Sequence, residues 1–87
     1  MTNTRYFIFG RSSCPFCAMA SDYCQAISAN YTYLDFEGKE DILEDYKKFY
    51  NHPTVPIILA NNIESGLTVK LGGYTDLIDH NSEKEGK

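Results

Sequence analysis

Tyr6-Phe7-Ile8-Phe9-Gly10-Arg11-Ser12-Ser13-Cys14-Pro15-Phe16-Cys17 is the stretch that decides this fold. Its first four residues are aromatic or β-branched and stop at a glycine, the pattern of a buried strand. Arg11 to Cys14 makes a short loop with helix-start chemistry. Pro15 then fits the first position of a helix, where its missing N–H costs nothing. After it, Phe16, Met19, Ala20, Tyr23, Cys24 and Ile27 recur at helical spacing, so a helix is predicted to about Ala29. Asn30 is its expected stop. A strand therefore runs straight into a helix, and the junction carries two cysteines three residues apart.

Tyr31 to Phe36 reads as a second strand by propensity. Lys39 to Tyr50 reads as a second helix, with Ile42, Leu43, Tyr46, Phe49 and Tyr50 on one face. Its acidic residues lead and its lysines trail, which suits the helix dipole. Asn51-His52-Pro53 ends it. Ile57 to Ala60 is a short apolar strand, and Asn61-Asn62 and Gly66 are turn signals. Leu67 to Leu71 alternates apolar and polar residues and is predicted to pair antiparallel with that third strand. Gly72-Gly73 breaks the pattern, and Thr75 is placed to cap a last short helix through about His80. Asn81 to Lys87 has no apolar stripe and is expected to be a frayed tail. The order β-α-β-α-β-β-α gives an α/β fold, a four-stranded mixed sheet flanked by helices. Strands joined by a helix are expected to be parallel.

The chain of 87 residues is 43% hydrophobic and 23% charged, the profile of one globular domain over residues 1–87. A domain of this size buries only about 60% of the surface its unfolded chain exposes, so its core is thin. Net charge is −4 with no basic cluster beyond Lys47-Lys48, which argues against nucleic acid as a partner. No apolar run approaches the roughly 20 residues that span a bilayer. The four apolar residues after Arg5 are too few for an export signal. A cytoplasmic monomer is the expectation.

Three cysteines, an odd count, do not make a secreted disulfide framework. Cys14 falls at the start of the predicted helix, where unpaired N–H groups and the dipole favour negative charge. A thiolate is the attacking species in disulfide exchange, so Cys14 is the expected nucleophile. Cys17, about one turn further on at the edge of the apolar stripe, is expected to be more buried and to attack the mixed disulfide formed at Cys14. A zinc site would need four ligands. The remaining candidates are Cys24, His52 and His80, and Cys24 reads better as a small core residue. No metal is expected.

Three separated motifs resemble the glutaredoxin family of the thioredoxin-like fold. They are Gly10 to Cys17, Thr54-Val55-Pro56, and Gly72-Gly73-Tyr74-Thr75-Asp76-Leu77, in that order along almost the whole chain. The resemblance implies reduction of protein disulfides and glutathione mixed disulfides. Glutathione would be a co-substrate, with no tightly bound cofactor. It implies a cis peptide before Pro56 and backbone hydrogen bonds from Val55 to glutathione. Thr75 and Asp76 would hold the γ-glutamyl end, with Asp76 facing its ammonium. Phe16, Thr54, Gly73 and Tyr74 fall within or beside the same motifs and are assigned to the glutathione site. Arg11 is placed to stabilise the thiolate or to meet the glycyl carboxylate. The compact form resembles family members that serve ribonucleotide reductase as electron donors, and the resemblance implies that enzyme as a protein partner. Two other readings stay open. One is a similar dithiol protein reduced by thioredoxin reductase. The other is a glutathione-ligated iron–sulfur carrier, disfavoured because such carriers more often have a single active-site cysteine.

Overall fold

A computed structural model describes residues 4–85. The elements are β1 (Thr4–Gly10), α1 (Pro15–Ala26), β2 (Asn30–Asp35), α2 (Glu40–Phe49), β3 (Ile57–Asn62), β4 (Thr68–Gly72) and α3 (Tyr74–Glu85). They form one four-stranded sheet in the order β2-β1-β3-β4. β1 pairs parallel with β2 and antiparallel with β3, and β3 pairs antiparallel with β4. This is the expected mixed sheet of a thioredoxin-like fold. β3 departs from the parallel expectation, although a helix joins it to β2. β1 lies between the two strands, and the turn after α2 sends β3 back along β1 in the opposite sense.

Alternation along β1 divides the core in two. Tyr6 and Ile8 pack with Ala20 and Cys24 of α1, Leu77 of α3, and Ile58 and Ala60. Phe9 packs on the other face with Leu43 of α2, Ile57 and Leu59. The sheet is thus sandwiched between α1 with α3 on one side and α2 on the other. Fully burying one leucine contributes about 1.5–3 kcal/mol, so Leu77 and Leu43 are strong anchors for their helices.

The buried stripe of α1 is Cys17, Ala20 and Cys24, one step around from the predicted centre. Phe16 and Met19, expected in the stripe, are 56% and 40% exposed. On α2, Leu43 is buried and Tyr46 and Tyr50 set their ring edges against Phe9, whereas Ile42 and Phe49 are exposed. A five-residue apolar face is wider than the contact a ten-residue helix makes with a twisted sheet, and its flanks remain in solvent.

Two helix ends have a common cause. α1 stops at Ala26, earlier than predicted, because Ser28 adopts φ 57°. Ser28 N–H donates to Gln25 C=O and Ala29 N–H to Cys24 C=O. α2 closes in the same way through Asn51 at φ 53°. Both are Schellman closures, which usually place glycine at that position. α3 continues through Glu85, past the His80 limit read from the sequence. Asn81, read there as the start of a polar tail, is buried, and its side-chain amide donates to Leu77 C=O. The part of that predicted tail from 86 to 87 lies outside the described residues.

Candidate active site

Cys14 is the N-cap of α1, with extended backbone (φ −91°, ψ 116°), and Pro15 is the first helical residue. The Cys14 sulfur accepts the Cys17 backbone N–H at 3.3 Å. The sulfur thus does the capping work that serine or aspartate usually does, satisfying one unpaired donor of the first turn. Cys14 N–H donates back to Arg11 C=O at 3.1 Å, which closes the loop tightly.

The two thiols are unequal. Cys14 is partly exposed and Cys17 is fully buried. Burial, reinforced by its hydrogen bond to Cys14, pushes the Cys17 thiol up to about 12. Burial alone pushes Cys24 up to about 11. Cys24 sits in the α1 core cluster, as expected of a small apolar residue. Gly10 explains how Cys17 fits. A Cβ at Gly10 would lie 2.5 Å from Cys17 Sγ, so any side chain there would evict the thiol.

The loop that leads into Cys14 is tied to the C-terminal end of β2, the end at which sites of α/β proteins gather. Asp35 accepts the Ser12 N–H at 3.0 Å, the Ser12 hydroxyl, and the Glu37 N–H at 3.0 Å. Glu37 accepts the Ser13 N–H at 3.0 Å and its hydroxyl at 2.9 Å. These donors hold both carboxyls below the usual range, the Ser12 hydroxyl chiefly for Asp35 and the Ser13 N–H for Glu37. A depressed folded-state value means that the tether is complete above the ordinary carboxylate range and is lost as pH falls through the lowered values. Asp35→Ala should speed amide exchange at Ser12 and slow turnover about two- to fivefold through looser positioning of Cys14. Exchange rates and a steady-state assay check this.

Three segments meet in a groove of about 280 Å³ lined by Phe16, Thr54, Val55, Pro56, Gly73, Tyr74 and Thr75. The Val55–Pro56 peptide is cis, as the resemblance implied. The Phe16 and Tyr74 rings stand 6.3 Å apart and wall one side. His52 Nδ1 donates to the C=O of Thr54, one of the lining residues, at 2.8 Å. At the far end Gly72 has φ 126°. The Asp76 carboxylate reaches back to accept the Gly73 N–H at 2.8 Å, the returning half of a capping box.

Seven of the eleven residues singled out from the sequence line this groove, and Cys14 and Cys17 stand at the start of α1 beside Phe16. Asp76 sits at the groove's end as a helix cap. Arg11 lies apart. Its side chain turns toward Glu37 at 4.0 Å and donates to the Ser13 hydroxyl at 3.2 Å. Among the described residues, no three His, Cys, Asp or Glu side chains gather at metal-ligand spacing. Likewise, no helix among them is long and apolar enough to cross a membrane. Three residues of the site, Tyr33, Asp35 and Glu37, were not singled out in the sequence. A carboxylate at the end of a strand that neighbours the cysteine strand was the available signal for Asp35.

The glutaredoxin family model matches residues 6–63. Glutaredoxin 1 of Escherichia coli is 34% identical over 76 residues, covering 79% of this chain and 82% of that protein. A glutaredoxin of Vibrio cholerae is 30% identical over 86 residues, covering 91% and 92%. In the crystal structure of a wheat glutaredoxin the same fold recurs with a TM-score of 0.74 at 22% identity, over 92% of this chain and 71% of that one. A strand ending on Gly10, an unequal thiol pair at the start of the next helix and these relatives lead to one conclusion: the chain belongs to the glutaredoxin family of thiol–disulfide oxidoreductases.

Proposed function

We propose that this protein reduces glutathione mixed disulfides and protein disulfides at the expense of glutathione, through Cys14 and Cys17. The observation that carries the reading is the groove from Phe16 across Thr54–Pro56 to Gly73–Thr75, which ends beside the thiol-bearing helix start. It suits a short extended peptide. The Thr54–Pro56 segment offers backbone partners, the two rings offer apolar walls, and the start of α3 offers N–H groups to a carboxylate. Asp76 Oδ2 already takes the Gly73 N–H, which leaves Oδ1 to meet the γ-glutamyl ammonium. In the first step the Cys14 thiolate attacks the glutathione sulfur of a mixed disulfide. A Cys14–glutathione disulfide forms and the substrate thiol leaves with a proton. A second glutathione then attacks that sulfur and releases oxidised glutathione. With a protein disulfide, Cys14 attacks first and Cys17 resolves the adduct. Ribonucleotide reductase is one protein whose disulfide would fit this role, and the cytosol is the compartment we assign.

A coupled assay with glutathione, glutathione reductase and a small glutathione mixed disulfide tests the reading, and turnover is expected. Turnover with thioredoxin reductase and none with glutathione would assign the groove to another partner. Asp76→Ala should raise the KM for glutathione about five- to tenfold, the size of one lost charge-assisted hydrogen bond. Asp76→Asn, which keeps a carbonyl to accept the Gly73 N–H, should show the same KM and so separate the ammonium contact from the cap.

A further inference from the structure

Tyr33 packs against the thiol pair from β2, and the exchange chemistry above gives it no task. It stands opposite Ile8 in the β1–β2 register, and its ring rests on the cluster that holds Ala20 and Cys24. Its hydroxyl donates to Arg11 C=O at 3.0 Å. The position a Cβ would take on Gly10 lies 2.5 Å from Cys17 Sγ and 3.1 Å from the Tyr33 hydroxyl oxygen. Sulfur and hydroxyl therefore share the space above the Gly10 backbone. The ring alone accounts for the packing, so a phenylalanine would fill that place equally well. The hydroxyl needs a separate explanation.

The need arises in the resolving step. Once Cys14 is tied up in a mixed disulfide, its sulfur is bonded to the substrate and no longer serves as partner to the Cys17 thiol. Cys17 must then carry negative charge in a buried site, where charge is costly unless a donor meets it. We propose that Tyr33 is a positioning residue for this step, its hydroxyl turning from the Arg11 carbonyl to the Cys17 sulfur as charge builds there. The inference rests on the reading of Cys17 as the resolving thiol. The step balances simply. Cys17 gives up its proton, a Cys14–Cys17 disulfide forms, the bond from Cys14 to the substrate sulfur breaks, and the substrate thiolate takes up the proton. Tyr33 stays protonated throughout. Burial, and then the charge of Cys17, hold its phenol above the ordinary range. The other groups facing the pair are Cys14 at the N-cap of α1, the Arg11 backbone from the loop, and the Asp35 carboxylate further along β2.

Rapid mixing of the reduced protein with a bis(nitrobenzoate) disulfide separates the steps, because the released aryl thiolate absorbs visible light. The first equivalent reports attack by Cys14 and depends on reagent concentration. The second reports resolution by Cys17 and does not. Tyr33→Phe should leave the first phase unchanged, slow the second about tenfold at neutral pH, and move its pH profile up by about one unit. Cys17→Ser should lose the second phase, and Tyr33→Phe added to it should change nothing further. A second phase that matches wild type at every pH would overturn the role of Tyr33 and leave Cys17 as resolver. Equal slowing of both phases would reduce Tyr33 to packing and overturn it too. No reagent-independent phase in the wild type would remove Cys17 as resolver, and this inference with it.

Discussion

Cys14→Ser should abolish every thiol-exchange activity of this protein, whereas Cys17→Ser should split them. The Cys14 sulfur is the accessible member of the pair and caps α1 by accepting the Cys17 N–H. A serine hydroxyl would cap as well, so the fold should survive. It would not attack a disulfide, because the reaction needs a thiolate and a sulfur–sulfur bond has to form. A loss of at least about a thousandfold in kcat/KM is expected when a nucleophile of this kind is removed. Cys17 is fully buried, with its thiol pushed up to about 12, chiefly by burial. It does not compete for external disulfides and becomes useful only when an adduct stands next to it on Cys14. Cys17→Ser should therefore keep reduction of a small glutathione mixed disulfide within about threefold of wild type. Reduction of a protein disulfide should fall about a hundredfold, because an intramolecular attack at high effective concentration is lost. The two assays run side by side on the two variants give the answer. Residual exchange in Cys14→Ser above the uncatalysed rate would move the nucleophile elsewhere, with Cys24 the next candidate.

The same pair shows what a sequence can and cannot say about such a site. The strand, the loop, the proline at the first helical position and the cysteine spacing are all local, and local signals were enough to place Cys14 at a helix start. The mixed sheet was legible because helix and strand periodicities alternate without ambiguity along the chain. The polar frame of the loop was not legible. Asp35 and Glu37 lie 23 and 24 residues from Ser12 and Ser13, and only the parallel pairing of β1 with β2 brings them together. Tyr33 was equally opaque, because an aromatic residue in a strand looks like core until its hydroxyl is seen beside a thiol. The end of α1 failed for a different reason. Ser28 closes that helix in a left-handed conformation that glycine usually takes, whereas the stop read at Asn51 coincides with the closure of α2. Asn81 satisfies its own amide within α3, so a residue read as the end of structure belongs to its interior.

Gly72→Ala should cost both stability and affinity for glutathione, for reasons that can be separated. Gly72 ends β4 opposite Ile58 and has φ 126°, a conformation that residues with a Cβ rarely adopt. A Cβ there would also run into the Asp76 carboxylate. Strained backbone of this kind costs about 1–3 kcal/mol. For a domain under 100 residues, each kcal/mol lowers Tm by roughly 4–8 °C, so a fall of about 5–20 °C is expected in a thermal melt. The collision pushes Asp76 off the Gly73 N–H and away from the groove, which should raise the KM for glutathione by about tenfold or more. The Cys14 and Cys17 phases with an aryl disulfide should be unaffected, because Gly72 belongs to the opposite end of the groove. Adding Asp76→Ala to Gly72→Ala removes the collision but leaves the backbone strain. The double variant should therefore recover part of the lost Tm and none of the lost affinity. Two variants in contact are expected to be non-additive in this way. Simple additivity in Tm would show that the carboxylate and the glycine act independently, and a wild-type Tm for Gly72→Ala would show that this turn carries no strain.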